Sequence, residues 1–554
     1  MTSARTTFDW RWPTGAELRW AGIAAAVVMA LTCVPYLVGL LIRPDGWYYS
    51  GLLANPDEHN VYLAYMRQAH DGAWFILDPF TSEDQLGRVI NLFFLLLGRL
   101  ARVAHLPLAI AYHLARLVAG WLLLVSIYCL GAQLLPTVGG RRIALLLAAL
   151  ASGFGWAYRA TPGAPHPIDY GPGLVMPEAI TFLSLLLSPL FSLSVFLMIV
   201  TLTLGAYAMA RGSARAAVPA GLAALFLGNI HSYDLVPVGA TLGAYGVYLL
   251  ARRRLTARGV VLAATIAIIA APSVLYQLWL VRAGELTLVV KMAGEPVSSP
   301  PPLFMALGFG LPLALAAAGL ARAFRRDGSD VARLLAIWLV VGFALLYLPS
   351  PFQRKLAQGL YVPICLLATL GLSPLWTARN KRGSAAAAVL LIALVLPSNL
   401  MFVARGIRDL RTNNAAYLTN GMPPLYLRPD QHEALMQLDR SASMEDLLLC
   451  NSFLGSYAPS VAGVRVYLGH WDETLDFAEK QRRLATFLRA DTPEEAREDF
   501  CRRNRVTHVL RDRSEYDDVY LSPQRRPGYD PDGSAWLSRV QEEGRVTLYR
   551  VEEG

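Results

Sequence analysis

Residues 55–58 read Asn-Pro-Asp-Glu and set two adjacent carboxylates, Asp57 and Glu58, just past the first long apolar run. A carboxylate at a membrane surface can take the proton of a hydroxyl and make that oxygen a nucleophile. Its neighbour can hold a sugar hydroxyl or a divalent cation. Tyr62, Tyr65, Gln68 and His70 follow within a few turns and give an aromatic and amide lining suited to sugars. The same dipeptide also fits an ordinary solvated loop.

A second group is basic. Arg354 and Lys355 close the stretch Pro349-Ser-Pro-Phe-Gln-Arg-Lys355. Such a pair can clamp an anionic headgroup, and the guanidinium fork matches phosphate. Snorkelling to the membrane interface is the plainer account. His166 and Asp169, with Glu178 further on, combine imidazole and carboxylate. That donor set suits Mg²⁺ or Mn²⁺ loosely, and a proline-rich surface loop would carry it equally well. His231 and Asp234 fall between two short apolar runs. A charge at mid-membrane costs about 2.5–3.5 kcal/mol by insertion scales. A substrate contact or a structural hydrogen bond would account for the pair. Tyr467-Leu-Gly-His-Trp-Asp-Glu473 follows a strand end and could touch an acceptor or form a turn.

These residues need elements to hold them. A bilayer-spanning helix takes about 20 apolar residues. Candidate spans are 20–42, 109–134, 142–158, 188–210, 217–230, 235–251, 259–281, 303–321, 332–348, 356–376 and 385–404. That is about 11 transmembrane helices at that length. The runs 217–230 and 235–251 are short and flank a polar turn, which reads as a broken hairpin around a cavity. With the N-terminus inside, the inner loops carry Arg141-Arg142, Arg211, Arg215, Arg252-Arg253-Arg254, Arg258, Arg325-Arg326, Arg379 and Lys381-Arg382. The positive-inside rule is then obeyed at every alternate loop, and the C-terminus is extracytoplasmic. Residues 88–104 read as a helix lying in the outer interface, inside a large first outer loop, 43–108. A second outer loop covers 159–180. Residues 1–404 form the membrane domain and 405–554 a soluble one. In the latter, 447–450, 464–468, 507–510 and 546–549 read as strands, and 474–488 and 494–503 as amphipathic helices, the pattern of a small α/β domain.

Composition agrees. Of 554 residues 55% are hydrophobic and 16% charged, against about 25% charged in soluble proteins. The net charge of +9 sits mostly in short loops, so it reports orientation, and no nucleic-acid partner is expected. The N-terminal span is too long for a signal-peptide core and reads as an uncleaved first helix. Cys33, Cys129 and Cys365 fall in apolar spans, while Cys450 and Cys501 could form a disulfide if the tail is outside. There is no Walker A sequence, no dinucleotide fingerprint, no GxSxG and no HExxH. An ATPase, a nicotinamide enzyme, a serine hydrolase and a zinc protease are therefore not indicated.

The acidic pair after the first span, the interfacial stretch before the span near 109, and the late basic pair together resemble the GT-C superfamily of membrane glycosyltransferases. Protein O-mannosyltransferases and aminoarabinose transferases belong there. The resemblance implies an α-helical polytopic membrane enzyme of the inner membrane with a C-terminal extracytoplasmic α/β domain. It implies a polyprenyl-phosphate sugar donor with its phosphate near Arg354 and Lys355. Asp57 would act as base toward a glycan, lipid or protein hydroxyl, with inversion at the anomeric carbon. The chain has no WWDYG-type motif, so transfer to peptide asparagine is disfavoured. A transporter or flippase of a lipid-linked envelope precursor is the alternative, and a non-catalytic envelope scaffold a third.

Overall fold

The structure is a computed structural model that describes residues 11–88, 91–159, 173, 176–282, 297–325, 328–373, 381–413, 423–513 and 528–552. The chain divides into two compact units. One comprises Met1–Cys33, His113–Ala283 and Ala293–Ala404, the other Val34–Tyr112, Gly284–Met292 and Arg405–Gly554.

The first unit is helical. Each segment predicted to span carries a helix. Among the described residues, seven helices are long and apolar enough to cross a membrane, and eight if the pair Ala386–Val395 and Pro397–Arg411, bent by 46°, is one span. Three of the predicted spans fall short of that length: Ala214–Ile230 with 17 residues, Asp330–Leu345 with 16 and Tyr361–Gly371 with 11. In the last of these the first two residues of the predicted span 356–376, Leu356 and Ala357, belong to the 3₁₀ turn Gln353–Ala357, and 374–376 lie outside the described residues. Without water in the hydrocarbon, helices pack through small residues. A Cβ on Gly319 would sit 1.9 Å from the carbonyl oxygen of Leu367, so only glycine lets the Pro302–Ala323 and Tyr361–Gly371 helices touch backbone to backbone.

Two buried ion clusters tie helix ends in this unit. Arg141 donates from Nη1 to Glu17 at 2.6 Å, and the Tyr128 hydroxyl donates to the same carboxylate oxygen at 3.2 Å. Arg254 grips Asp330 with both terminal nitrogens, at 2.8 and 2.6 Å, and Arg333 adds a third contact at 3.3 Å. A bidentate guanidinium satisfies a buried carboxylate as few other partners do.

The second unit contains the strands β1 (Tyr48–Tyr49), β2 (Tyr426–Leu427), β3 (Leu447–Leu449), β4 (Arg465–Val466), β5 (His508–Asp512), β6 (Leu537–Glu543) and β7 (Val546–Val551). Strands β1 and β2 pair with each other, antiparallel. The other five form one sheet in the order β4-β3-β5-β7-β6, parallel from β4 to β5 and antiparallel beyond. Leu449, Val509 and Tyr549 on the sheet pack with Leu484, Phe487 and Cys501 from the helices Phe477–Phe487 and Glu494–Arg503. The predicted strands and both predicted helices are thus present, each within a few residues. The disulfide expectation is not met: Cys450 and Cys501 are both buried free thiols, held as small core residues.

The Pro56–Asp71 helix of this unit packs on Leu92–Val103, where a Cβ on Gly98 would lie 2.3 Å from the Met66 carbonyl oxygen. The loop between them is pinned from the sheet side. Lys480 donates to Thr81, Ser82 and Glu83 at 3.1, 3.0 and 2.9 Å. Thr474 donates to the Phe80 carbonyl at 2.7 Å, and the Val466 N–H to Pro79 at 2.9 Å.

Candidate active site

The acidic pair owes its position to Asn55. That residue sits at φ 48°, in the left-handed region that asparagine tolerates, and turns the chain sharply into a helix. Pro56 occupies the first helical position, where its missing N–H costs nothing. Asp57 and Glu58 then fall in the first turn, among the unpaired backbone N–H groups that favour negative charge.

The helix turns Asp57 inward and leaves Glu58 half-buried. Asp57 is only 3% exposed. Its Oδ1 accepts a hydrogen bond from the Ser456 hydroxyl at 3.3 Å, and that hydroxyl in turn accepts from the Asn60 side-chain amide at 3.4 Å. Burial pushes the Asp57 carboxyl up to about 7; Ser456 opposes that rise and the Glu58 charge adds to it. A carboxyl poised there can take up a proton and release it near neutral pH.

Aromatic rings continue the face. Tyr62 stacks on Phe94, with ring centres 4.4 Å apart, and Phe94 stacks on Tyr112 at 6.3 Å. His59 is buried edge-on to Tyr62 and Tyr112 and donates from Nδ1 to the Asn55 carbonyl at 2.8 Å. Tyr65 is buried, which raises its phenol well above the ordinary value. Gln68 uses both ends of its amide on the backbone of Leu77, each at 2.9 Å, and so anchors the loop. His70 contacts Asp71 at 3.0 Å. In the 467–473 stretch His470 is buried and accepts from the N–H groups of Asp472 and Glu473, while Trp471 is exposed.

The basic candidates belong to the helical unit. Arg354 donates from Nε to Glu178 at 3.2 Å, so two residues 176 positions apart in sequence form one ion pair. The backbone N–H of Arg354 donates to Val297 at 3.1 Å, and Val297 donates to Pro351 at 2.8 Å. Lys355 lies 5.0 Å from the centre of the Tyr233 ring, which also meets Phe352 at 5.0 Å. Tyr233 belongs to the 3₁₀ turn Ser232–Asp234 that joins Ala214–Ile230 to Leu235–Ala251. In the same turn His231 Nδ1 is 3.0 Å from the fully buried Asp234 carboxylate, close enough for an ion pair but not aligned as a hydrogen bond.

His166 and Asp169 lie outside the described residues. Among the described residues no three His, Cys, Asp or Glu side chains come together as metal ligands would. Asn60 and Ser456 are the participants that sequence reasoning missed. Asn60 had a signal, since it shares a helix face with Asp57 three residues earlier. Ser456, 399 residues away from Asp57, had none.

The architecture matches membrane glycosyltransferases of the GT-C type. ArnT from Cupriavidus metallidurans, solved bound to undecaprenyl phosphate, superposes with a TM-score of 0.51 at 15% identity, over 94% of this chain and 97% of its own. The arabinofuranosyltransferase AftD from Mycobacteria superposes with a TM-score of 0.54 at 15% identity, over 97% of this chain and 42% of its own. This chain therefore spans under half the length of AftD. Residues 353–553 match DUF6541, a family of unknown function. No curated protein matches the chain in sequence. The chain is thus a multi-pass α-helical protein with the GT-C fold and a C-terminal sheet domain.

Proposed function

We propose that the protein is an integral membrane glycosyltransferase that moves a sugar from a polyprenyl-phosphate carrier to an extracytoplasmic hydroxyl of a glycan, lipid or protein. The observation that carries this reading is Asp57: a buried carboxyl at a helix start, held by a hydroxyl, with its proton affinity moved to about 7. The GT-C fold supports it, and the undecaprenyl phosphate in the ArnT structure supports the choice of carrier.

In the proposed reaction the acceptor O–H gives its proton to Asp57. The acceptor oxygen forms a bond to the anomeric carbon and inverts it. The bond from that carbon to the phosphate oxygen breaks, and its electron pair leaves with polyprenyl phosphate. Lys355 and Arg354 stabilise the charge that gathers on that phosphate, an electrostatic contribution of the kind that dominates transfer reactions. Arg354 also donates from Nε to Glu178, which leaves its terminal nitrogens for the phosphate. Glu58, Tyr62, His231 and Asp234 are the further candidates for contacts to sugar hydroxyls. No step is assigned to a metal ion.

The test compares envelope glycans and glycolipids in three strains: a deletion, the deletion carrying the wild-type chain, and the deletion carrying Asp57→Asn at equal expression. The expected result is that Asp57→Asn matches the deletion, losing one sugar and accumulating a polyprenyl-linked one. A wild-type profile from Asp57→Asn removes Asp57 as base and favours a transporter or flippase of a lipid-linked precursor.

A further inference from the structure

We infer that Asn60 and Ser456 are positioning residues for Asp57, a directed hydrogen-bond chain that commits one carboxylate oxygen and leaves the other to receive the acceptor's proton. The inference rests on the proposed role of Asp57 as base and adds how that base is oriented.

The direction of the chain follows from donor counting. A serine hydroxyl has one proton and can accept as well. The Asn60 amide nitrogen, which can only donate, points at Ser456 Oγ at 3.4 Å. The serine proton is therefore free to point at Asp57 Oδ1, 3.3 Å away. All three side chains are buried, at 3%, 1% and 2% exposure for Asp57, Asn60 and Ser456. A buried hydroxyl is costly unless bonded, so Ser456 is held to this role. With Oδ1 engaged, a proton arriving from the acceptor goes to Oδ2. The chain also favours the ionised carboxylate against its own burial, and so keeps Asp57 able to act as a base.

Ser456 comes from the Ser452–Val461 helix, which Arg67 fastens to the Pro56–Asp71 helix by donating to the Val461 carbonyl at 2.8 Å. Among the described residues, the other titratable groups that couple to Asp57 are Glu58, next to it in sequence, and the Tyr457 phenol on the packed helix. Tyr457 donates to the Pro424 carbonyl, and burial raises its phenol far above neutral, so it stays uncharged through the range in which Asp57 titrates.

The experiment is an infrared pH titration of the purified full-length protein in nanodiscs with ¹³C-labelled aspartate. Asp57→Asn assigns the Asp57 band. The expected wild-type midpoint is near 7. Ser456→Ala, which only removes an oxygen, should raise that midpoint by about one pH unit, as loss of one hydrogen bond to a charged group requires. Ser456→Thr should restore it, and Asn60→Leu should raise it by less than Ser456→Ala. Ser460→Ala, on the same helix but bonded to the Tyr457 carbonyl, should leave it in place. An unchanged midpoint in Ser456→Ala overturns the inference. So does an equal rise in Ser460→Ala, which would mark general loosening of the helix. The titration needs no substrate, so its failure is separate from any failure of the transferase reading, which the envelope glycans test.

Discussion

At the scale of single residues, Asp57 is a stability cost as well as a candidate base. Unfolded, its carboxyl ionises near 3.8; folded, it holds its proton to about 7 because burial disfavours the charge. Between those values the folded chain binds more protons than the unfolded one, so stability falls as pH rises, and above about 7 the loss is complete. At 1.36 kcal/mol per pH unit the cost reaches about 4 kcal/mol. Asp57→Asn cannot ionise and escapes it. Thermal unfolding of the purified protein should therefore show Asp57→Asn more stable than wild type at pH 8, with the gap narrowing steadily toward pH 5. A gap of constant size across that range would mean that Asp57 is not the group titrating. The same substitution is expected to abolish transfer, so a gain in stability and a loss of function would coincide at one residue, as they do where an active site stores strain.

At the scale of elements, the loop ahead of Leu92–Val103 is held by Lys480, whose ammonium is buried and shared among Thr81, Ser82 and Glu83. Removing that charge while keeping the stem, as in Lys480→Met, takes the shared charged donor away from Thr81, Ser82 and Glu83, which keep the Thr81–Glu83 contact and the Leu475 N–H on Thr81. The local cost is about 2 kcal/mol, enough to raise the open population more than tenfold. Tryptic cleavage after Arg88, which is buried in the native chain, should accelerate by at least about tenfold. Unchanged cleavage would show that the other contacts suffice. None of these pairings was legible in the sequence, although the elements they join largely were. Strands β3, β5 and β7 were legible because they are short apolar runs bounded by turn residues, and both amphipathic helices because their periodicity is clean. Strand β6, with the sequence Leu-Ser-Arg-Val-Gln-Glu-Glu, is a polar edge strand with no buried face to announce it. The Ser452–Val461 helix was hidden by Gly455 and by an internal Pro459. That omission concealed half of the candidate site, because Ser456 rides on that helix. Asp57 was legible for the opposite reason: its meaning came from its place just after a span, which is local information.

At the scale of the whole molecule, orientation is read from the arginines in alternate loops, and the structure divides them into two groups. Arg141 and Arg254 are bound to Glu17 and Asp330 in buried clusters, so they serve packing as much as topology. Arg142, Arg215, Arg252 and Arg253 lie outside those clusters, and the positive-inside rule needs only a surplus near the span ends. The remaining surplus still predicts an N-terminus inside and a sheet domain outside, the side on which the proposed reaction, with a lipid-linked donor, would require no nucleotide. Two exposed positions test this directly. A side chain at Gly139, in the first turn of the Val138–Leu150 helix, would begin in open space, with no atom within 4 Å of its Cβ, so Gly139→Cys is tolerated without rearrangement. Ser443, in the sheet domain, is exposed. A membrane-impermeant maleimide applied to spheroplasts should label Ser443→Cys at once and Gly139→Cys only after the membrane is permeabilised. The native thiols give little background, since all five are buried or half-buried. The reverse pattern would put the sheet domain, and with it Ser456, on the cytoplasmic side. There nucleotide sugars are at hand and a polyprenyl-phosphate donor confers no advantage, so the proposed reaction would fall even if Asp57 still titrated near 7.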